Sequence, residues 1–205
     1  MARKVTISKE IILQAALAML IRDGYSSINI KTLAAEIGCS TQPIVWHFDN
    51  MEGLRKALAA YAITYARDKM RAASGHAVEV FEHSGRAYVE MAVNEPNLFR
   101  FLYLGENTSE TTNNFGAITT SKNNAEQIKS IAGYLGISEE KISRYLQNTI
   151  IYTHGVATLV ATNVISATVE EMMEMINRAA EGFLMQEGVP ADKMPKKEEE
   201  KRCFQ

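Results

Sequence analysis

Residues 29–48 constrain this chain more than any other stretch, because they read as two short helices joined by a tight turn. Asn29 is a suitable N-cap, since its side chain can accept from the free amides of a first helical turn. Leu33, Ala34 and Ile37 then recur at helical spacing. Gly38 follows, and glycine enters the left-handed conformation that ends a helix at little cost. Ser40 is expected to cap the second helix. Pro43 falls near its third position, where the missing N–H costs no intrahelical bond. Ile44 and Phe48 are four apart and share a face that looks back at Leu33 and Ile37. Thr41, Gln42 and His47 are left pointing outward. The major groove of duplex DNA admits a single helix, so polar side chains at the head of such a helix suit base reading. The spacing by itself leaves a second reading open, a plain helical hairpin with a polar surface.

The rest of the chain also reads as helix, with no strand pattern, repeat or heptad array. Ser8 can cap a first helix with Ile12, Ala16, Met19 and Leu20 on its apolar face, ending at Gly24. Asn50 opens a long helix through Leu54, Leu58, Tyr61 and Tyr65 toward Met70, broken at Ser74 and Gly75. Further helices are expected over 77–94, from Pro96, over 122–135, after Ser138 to about 162, and after Thr168, which makes a capping box with Glu171. Residues 105–121 are rich in Gly, Asn, Thr and Ser and read as a loop. After Gly188 the chain turns polar, and 196–202 is a charge run expected to be a solvated tail. The expectation is an all-α chain in three parts. Residues 1–50 are a three-helix unit with a helix-turn-helix, 51–188 a larger helical domain, and 189–205 a charged tail.

Composition narrows the partners. A length of 205 residues supports a sizeable core, and net charge is −2. Residues 1–56 carry 7 Lys and Arg against 5 Asp and Glu, leaving 15 against 19 for the remainder of the 22 and 24. Any attraction to phosphates must therefore be local, helped by the short basic arm at Arg3 and Lys4. Cys39 reads as a small core residue and Cys203 lies in the tail. They are not expected to pair, which points to a reducing cytoplasm, and the first residues show no apolar signal-peptide core. Residues 145–169 hold no Asp, Glu, Lys or Arg. Gln147, Asn148, His154, Asn163 and several threonines interrupt that run, so a helix buried against protein explains it better than a membrane span.

Over roughly residues 8–58 the chain resembles the TetR family of bacterial transcriptional regulators. The resemblance rests on Ala15–Ala16, Gly24–Tyr25, Leu33–Ala34, Ile37–Gly38, Ser40, Ile44, Trp46–His47–Phe48 and Leu54. Weaker likenesses occur in the segment from Asn94 to Phe99 and at His154–Gly155. The resemblance implies an all-helical homodimer that binds a palindromic operator, acts as a repressor, and is released by a small molecule held in the C-terminal domain. Carried over by position, Thr41, Gln42 and Pro43 fall where the family reads bases. Trp46 and His47 fall at backbone-contact or packing places, and Asn29 with nearby Lys31 at a phosphate contact. Two positions depart from the pattern: Val45 stands where the family has a tyrosine, and Met51 where it has a lysine. Both losses remove anchors to the DNA backbone. They keep a second function in view, a small-molecule binding protein with a weakened DNA-binding domain.

An apolar ligand cavity with a few polar tips can be drawn from Tyr88, Met91, Phe99, Tyr103, Phe115 and Tyr152. No buried charge is identifiable among them, so the expected effector is apolar or aromatic. Assembly is expected through the helices at about 138–162 and 169–186. On these Leu146, Ile150, Thr153, Ala157 and Val160, and then Met172, Ile176, Ala180 and Phe183, recur at helical spacing, and Gly155 allows close approach. An enzyme is the least supported class. His154 with Tyr152, or His76 and His83, are its candidates. No nucleophile–base set or metal-ligand spacing accompanies them, and Gly133–Gly136 lacks the strand context of a phosphate loop. No cofactor and no metal are expected.

Overall fold

The structure, a computed structural model, describes residues 7–71, 75, 77–105 and 122–189. Arg3, Lys4, His76, Phe115, Cys203, the charged tail from 190 and the expected loop beyond Gly105 lie outside the described residues. Among the described residues the chain is all-helical, with nine α-helices and one 3-10 turn. They are α1 Lys9–Asp23, the turn Tyr25–Ser27, α2 Ile30–Ile37, α3 Gln42–Phe48 and α4 Met51–Met70. There follow α5 Ala77–Asn94, α6 Pro96–Tyr103, α7 Lys122–Leu135, α8 Glu139–Ala161 and α9 Val169–Gln186. No described helix is long and apolar enough to cross a membrane.

Local chemistry sets most boundaries. Ser8, Asn50, Ser138 and Thr168 each cap the helix that follows by accepting a backbone N–H. Asn29 takes two, from Lys31 and Thr32, and closes a capping box with the Thr32 side chain. Gly38 ends α2 in the left-handed conformation, φ 75° and ψ 35°. One boundary differs from expectation. Thr41, not Ser40, holds the N-cap place of α3 and its side chain makes no capping bond; Pro43 lies within the first two helical positions. The proline ring presets φ there, so the helix starts without a side-chain cap.

One continuous apolar core runs through α1–α4, α6 and parts of α5, α8 and α9. In it Leu33, Ile44, Leu58, Leu98 and Phe99 are fully buried. Each such side chain stabilises the fold by about 1.5–3 kcal/mol. A second core gathers Val78, Ile131, Leu135, Ile142, Tyr145, Leu146 and Leu184 at the opposite ends of α5, α7, α8 and α9. Helix α6 packs on α1, α4, α5 and α8, so it stands between the helix-turn-helix and the C-terminal helices.

Helices α8 and α9 pack on each other and on α5. Leu146, Thr153, Ala157, Met172 and Ile176 are buried in the chain's own core, so these members of the expected assembly stripe serve the intrachain contact. The uncharged surface left outward carries Ile151, Gly155 and Leu159 on α8 and Met175 and Gly182 on α9. The physical reason is helical phase: from Thr149 to Ala161 α8 has apolar or small residues on every side apart from Tyr152 and His154, so spacing alone does not tell its inner stripe from its outer one.

Candidate nucleic-acid interface and ligand site

The helix-turn-helix is held from behind by α1. Leu33, Ala34, Ile44 and Phe48 are buried against Ile12, Ala16 and Leu20. This fixes which residues of α3 face out. Thr41, Gln42, Val45 and Trp46 are exposed, and the Trp46 side chain is 76 % exposed. His47 is not part of that outward face. It is half-buried, and its Nε2 lies 3.1 Å from the Ile7 carbonyl oxygen, which ties α3 to the segment before α1. Pro43 is half-buried and helps seat the first turn. The indole of Trp46 stands edge-on to the His47 ring at 4.6 Å.

Among the described residues Lys9 lies over the Phe48 ring at 5.4 Å. Lys31 is exposed at the start of α2. The amides of Lys31 and Thr32 already donate to the Asn29 side chain at 2.9 and 3.0 Å. An incoming phosphate would therefore meet the Lys31 ammonium rather than these two amides. Arg22 is engaged by Glu36 and Asp23, and Arg55 by Glu52. Met51, at the place where the resemblance expects a lysine, packs partly buried against the core.

The expected ligand residues divide. Tyr88, Phe99 and Tyr103 come together, their ring centroids 4.9–5.2 Å apart, in a cluster built by α5 and α6. Met91 is fully buried one turn from Tyr88. Tyr152 does not join the cluster; its ring faces Phe183 on α9 at 6.4 Å. The cluster contains a residue not expected in it, His154 of α8, whose ring stacks on Phe99 at 6.2 Å. Its Nδ1 is 2.7 Å from the Tyr88 hydroxyl oxygen. A polar ring in the run 145–169, which holds no Asp, Glu, Lys or Arg, is the signal that finds it, since such a group needs a partner once buried. A surface depression of about 530 Å³ at the α7–α8 elbow, lined by Lys129, Ala132, Gly133 and Ile137, contains none of the expected ligand residues.

Burial raises the Tyr88 phenol far above its ordinary value, raises Tyr103 to about 12, and lowers His154. Tyr88 thus keeps its proton and His154 stays neutral, and the histidine tautomer sets which of the two donates in their hydrogen bond. A histidine whose folded pKa is depressed contributes stability above its unfolded pKa, and that stability is lost as pH falls through the folded value. Acidification below about 6.5, the ordinary histidine value, is therefore expected to lower the urea midpoint. His154→Gln should flatten that part of the profile. An unchanged profile in the variant would remove His154 as its source.

Between the two regions stands a set of polar contacts on α6. Asn97 donates from Nδ2 to the Ile21 and Arg22 carbonyls at the end of α1, at 3.0 and 3.2 Å. Arg100 donates to Asn97 Oδ1 and, at 2.7 Å, to the Ala161 carbonyl at the end of α8. Glu95, at the head of α6, accepts from Tyr65 and Lys69 of α4 at 2.8 and 2.6 Å. Tyr25 rests against Phe101 at 5.1 Å. The C-terminal ends of α1 and α8 are thereby joined through two side chains.

Comparison with known proteins agrees with this geometry. Residues 12–58 match the family model for bacterial regulatory proteins, tetR family. An uncharacterised HTH-type transcriptional regulator of Mycobacterium tuberculosis is 37 % identical over 57 residues, 28 % of this chain and 26 % of that protein. The chain thus matches about a quarter of that relative's length. Among solved structures, TetR from Acinetobacter baumannii AYE aligns over 88 % of this chain and 96 % of its own, with TM-score 0.57 and 17 % identity. A TetR variant from the same source in complex with minocycline aligns over 88 % and 96 %, with TM-score 0.53 and 14 % identity. A TetR-like transcriptional regulator from Rhodococcus sp. RHA1 aligns over 90 % and 98 %, with TM-score 0.57 and 12 % identity. At these identities the structures speak to fold, and the sequence match speaks to the first domain. Residues 12–58 thus match the tetR family of bacterial regulatory proteins, and the chain that carries them has an all-helical fold similar to that of the solved TetR structures.

Proposed function

We propose that the protein is a ligand-responsive transcriptional repressor. In this reading it binds a palindromic DNA operator as a homodimer, and a small molecule in its C-terminal domain releases it. The observation that carries the DNA reading is the outward face of α3, where Thr41, Gln42, Val45 and Trp46 stand exposed while Ile44 and Phe48 hold the helix to its core. Among the described residues Lys31 and Lys9, whose ammonium lies 5.4 Å from the Phe48 ring centroid, are exposed cations for a phosphate, and the helix-turn-helix geometry presents such a face to the major groove.

The effector reading draws support from the Tyr88–His154–Tyr103–Phe99 cluster, an aromatic surface with neutral polar tips. One similar solved structure is in complex with minocycline. An aromatic, uncharged effector suits such a surface, because a charged one would lose hydration without gaining a counter-charge among these four residues. The contacts of Asn97 and Arg100 give α6 a path by which rearrangement around the cluster would reach α1. The domains follow as first read: DNA binding in 1–50, ligand binding and dimerisation in 51–188. Helices α8 and α9 form the dimer.

A second reading, a small-molecule binder with a weakened DNA-binding domain, draws on the absence of any Lys or Arg between Thr41 and Asp49. Selection of binding sites from random duplexes separates the two. The repressor reading expects an enriched palindrome, and selection that enriches nothing leaves the second.

Gln42 tests the base-reading assignment. Its amide is suited to bidentate contact with adenine, and such a contact discriminates by about 1–3 kcal/mol. Gln42→Ala is expected to relax selectivity by roughly 5- to 150-fold at one base pair per half-site, the equivalent of that range. The fold should stay intact, since the side chain is exposed. A variant that selects the wild-type sequence with unchanged stringency would remove Gln42 from the reading face.

A further inference from the structure

The exposed face of α3 is built as two short strips. Thr41 and Val45 are four apart and stand one above the other, as do Gln42 and Trp46. Each strip therefore has a polar side chain followed, one turn on, by an apolar one. Val45 is 43 % exposed and Trp46 more so, and the described residues bury neither. No charged side chain lies between them and Thr41. The indole is positioned by the chain: it stands against His47, and His47 is tied to the Ile7 carbonyl. A group already held in place loses less freedom when it binds.

In the major groove the base edges offer donors, acceptors and one apolar landmark, the C5-methyl group of thymine. An apolar side chain at that depth gains by burying itself and the methyl together. A phosphate or a base acceptor in the same place would lose water and gain no bond. We propose that Val45 and Trp46 are specificity-determining residues that read thymine methyl groups, beside the base pairs read by Thr41 and Gln42. This inference rests on the operator reading above. It gives the valine, found where the resemblance expects a phosphate-binding tyrosine, a part in sequence reading.

The test uses deoxyuridine, which lacks only the methyl group and pairs as thymine does. The full chain is used to select an operator from random duplexes. Each thymine of that operator is then replaced by deoxyuridine in turn, and binding is followed by fluorescence anisotropy. At one or two thymines per half-site the wild-type protein is expected to bind about fourfold more weakly, the worth of one buried methyl. Replacing the same thymine in both half-sites should cost about sixteenfold. In Val45→Ala the penalty at one of these positions should fall below twofold, and in Trp46→Ala the penalty at its neighbour. Both side chains are exposed, and circular dichroism verifies each variant's fold; if Trp46→Ala does not fold, Val45→Ala decides. An operator indifferent to deoxyuridine at every thymine overturns this inference alone. So does a penalty that persists unchanged in Val45→Ala. Selection that enriches no sequence overturns the operator reading and this inference with it.

Discussion

Arginine at both Ile151 and Leu159 is expected to yield a folded monomer that binds operator DNA at least about 100-fold more weakly than the wild-type protein, the lower end of what two linked sites gain over one. The two residues stand on the outward face of α8, 43 % and 41 % exposed, with Gly155 between them. From Tyr145 to Ala161 this helix carries no Asp, Glu, Lys or Arg. The neighbouring helix shows Met175, also 43 % exposed, and Gly182. Neither glycine has any atom within 4 Å of the place where a Cβ would sit. Each gives up about 1 kcal/mol of helix stability relative to alanine, and no contact among the described residues asks for it. A second copy of α8 and α9 packed closely on this face would explain both glycines and cover Ile151, Leu159 and Met175. A twofold contact of this kind buries like against like, so arginines on it would meet their own copies. A monomer reaches only one half-site, which sets the size of the loss. Sedimentation velocity and anisotropy on the same samples check it. A double variant that still sediments as a dimer would move the interface elsewhere.

Ile176 illustrates what the sequence concealed. Its spacing with Met172 and Ala180 made it eligible for an interface, yet it is 5 % exposed and packs inside its own chain. A charge placed there would unfold the protein rather than divide a dimer. The helices themselves were legible because their ends are local. Asn29, Ser8, Asn50, Ser138 and Thr168 act within three residues of where they stand. The outward place of Gln42 was legible because Ile44 and Phe48 commit the opposite side of α3. Contacts across the chain were not. The bond between His47 and Ile7 spans 40 residues, that between Tyr88 and His154 spans 66, and Asn97 reaches Ile21 across 76. No periodicity within a segment encodes such distances, and single polar residues in apolar helices were the only hint that partners existed.

The joint between α3 and α4 leads to the largest expected effect on stability. Here the Asn50 N–H donates to the Phe48 carbonyl at 2.7 Å across Asp49, whose φ of 62° and ψ of −52° make a γ-turn, a rare and strained form for a residue with a Cβ. The turn folds the Phe48 carbonyl down onto the first turn of α4. A Cβ on Gly53 would stand 2.1 Å from that oxygen and 3.1 Å from its carbon. Both are backbone atoms, so no rotamer change can make room. Gly53→Ala must therefore open the turn or shift α4, at a cost of about 3 kcal/mol, the upper part of the range for overpacking. For a chain of this size that corresponds to a fall in melting temperature of about 6–12 °C. Operator affinity should fall as well, because α3 is aimed by this joint while α4 is fixed by Leu54, Leu58 and Ala62 in the core. The opposite change has the opposite sign. Asp49→Gly removes the strain and should leave stability unchanged or raise it by up to about 1 kcal/mol, since glycine adopts positive φ freely but also gains freedom when unfolded. Thermal melts of the two variants beside the wild type decide the matter. If Gly53→Ala melts with the wild-type protein, the close approach of α4 to the end of α3 is not a feature of the molecule, and the aim of α3 must be set by its contacts with α1, α2 and Ile7.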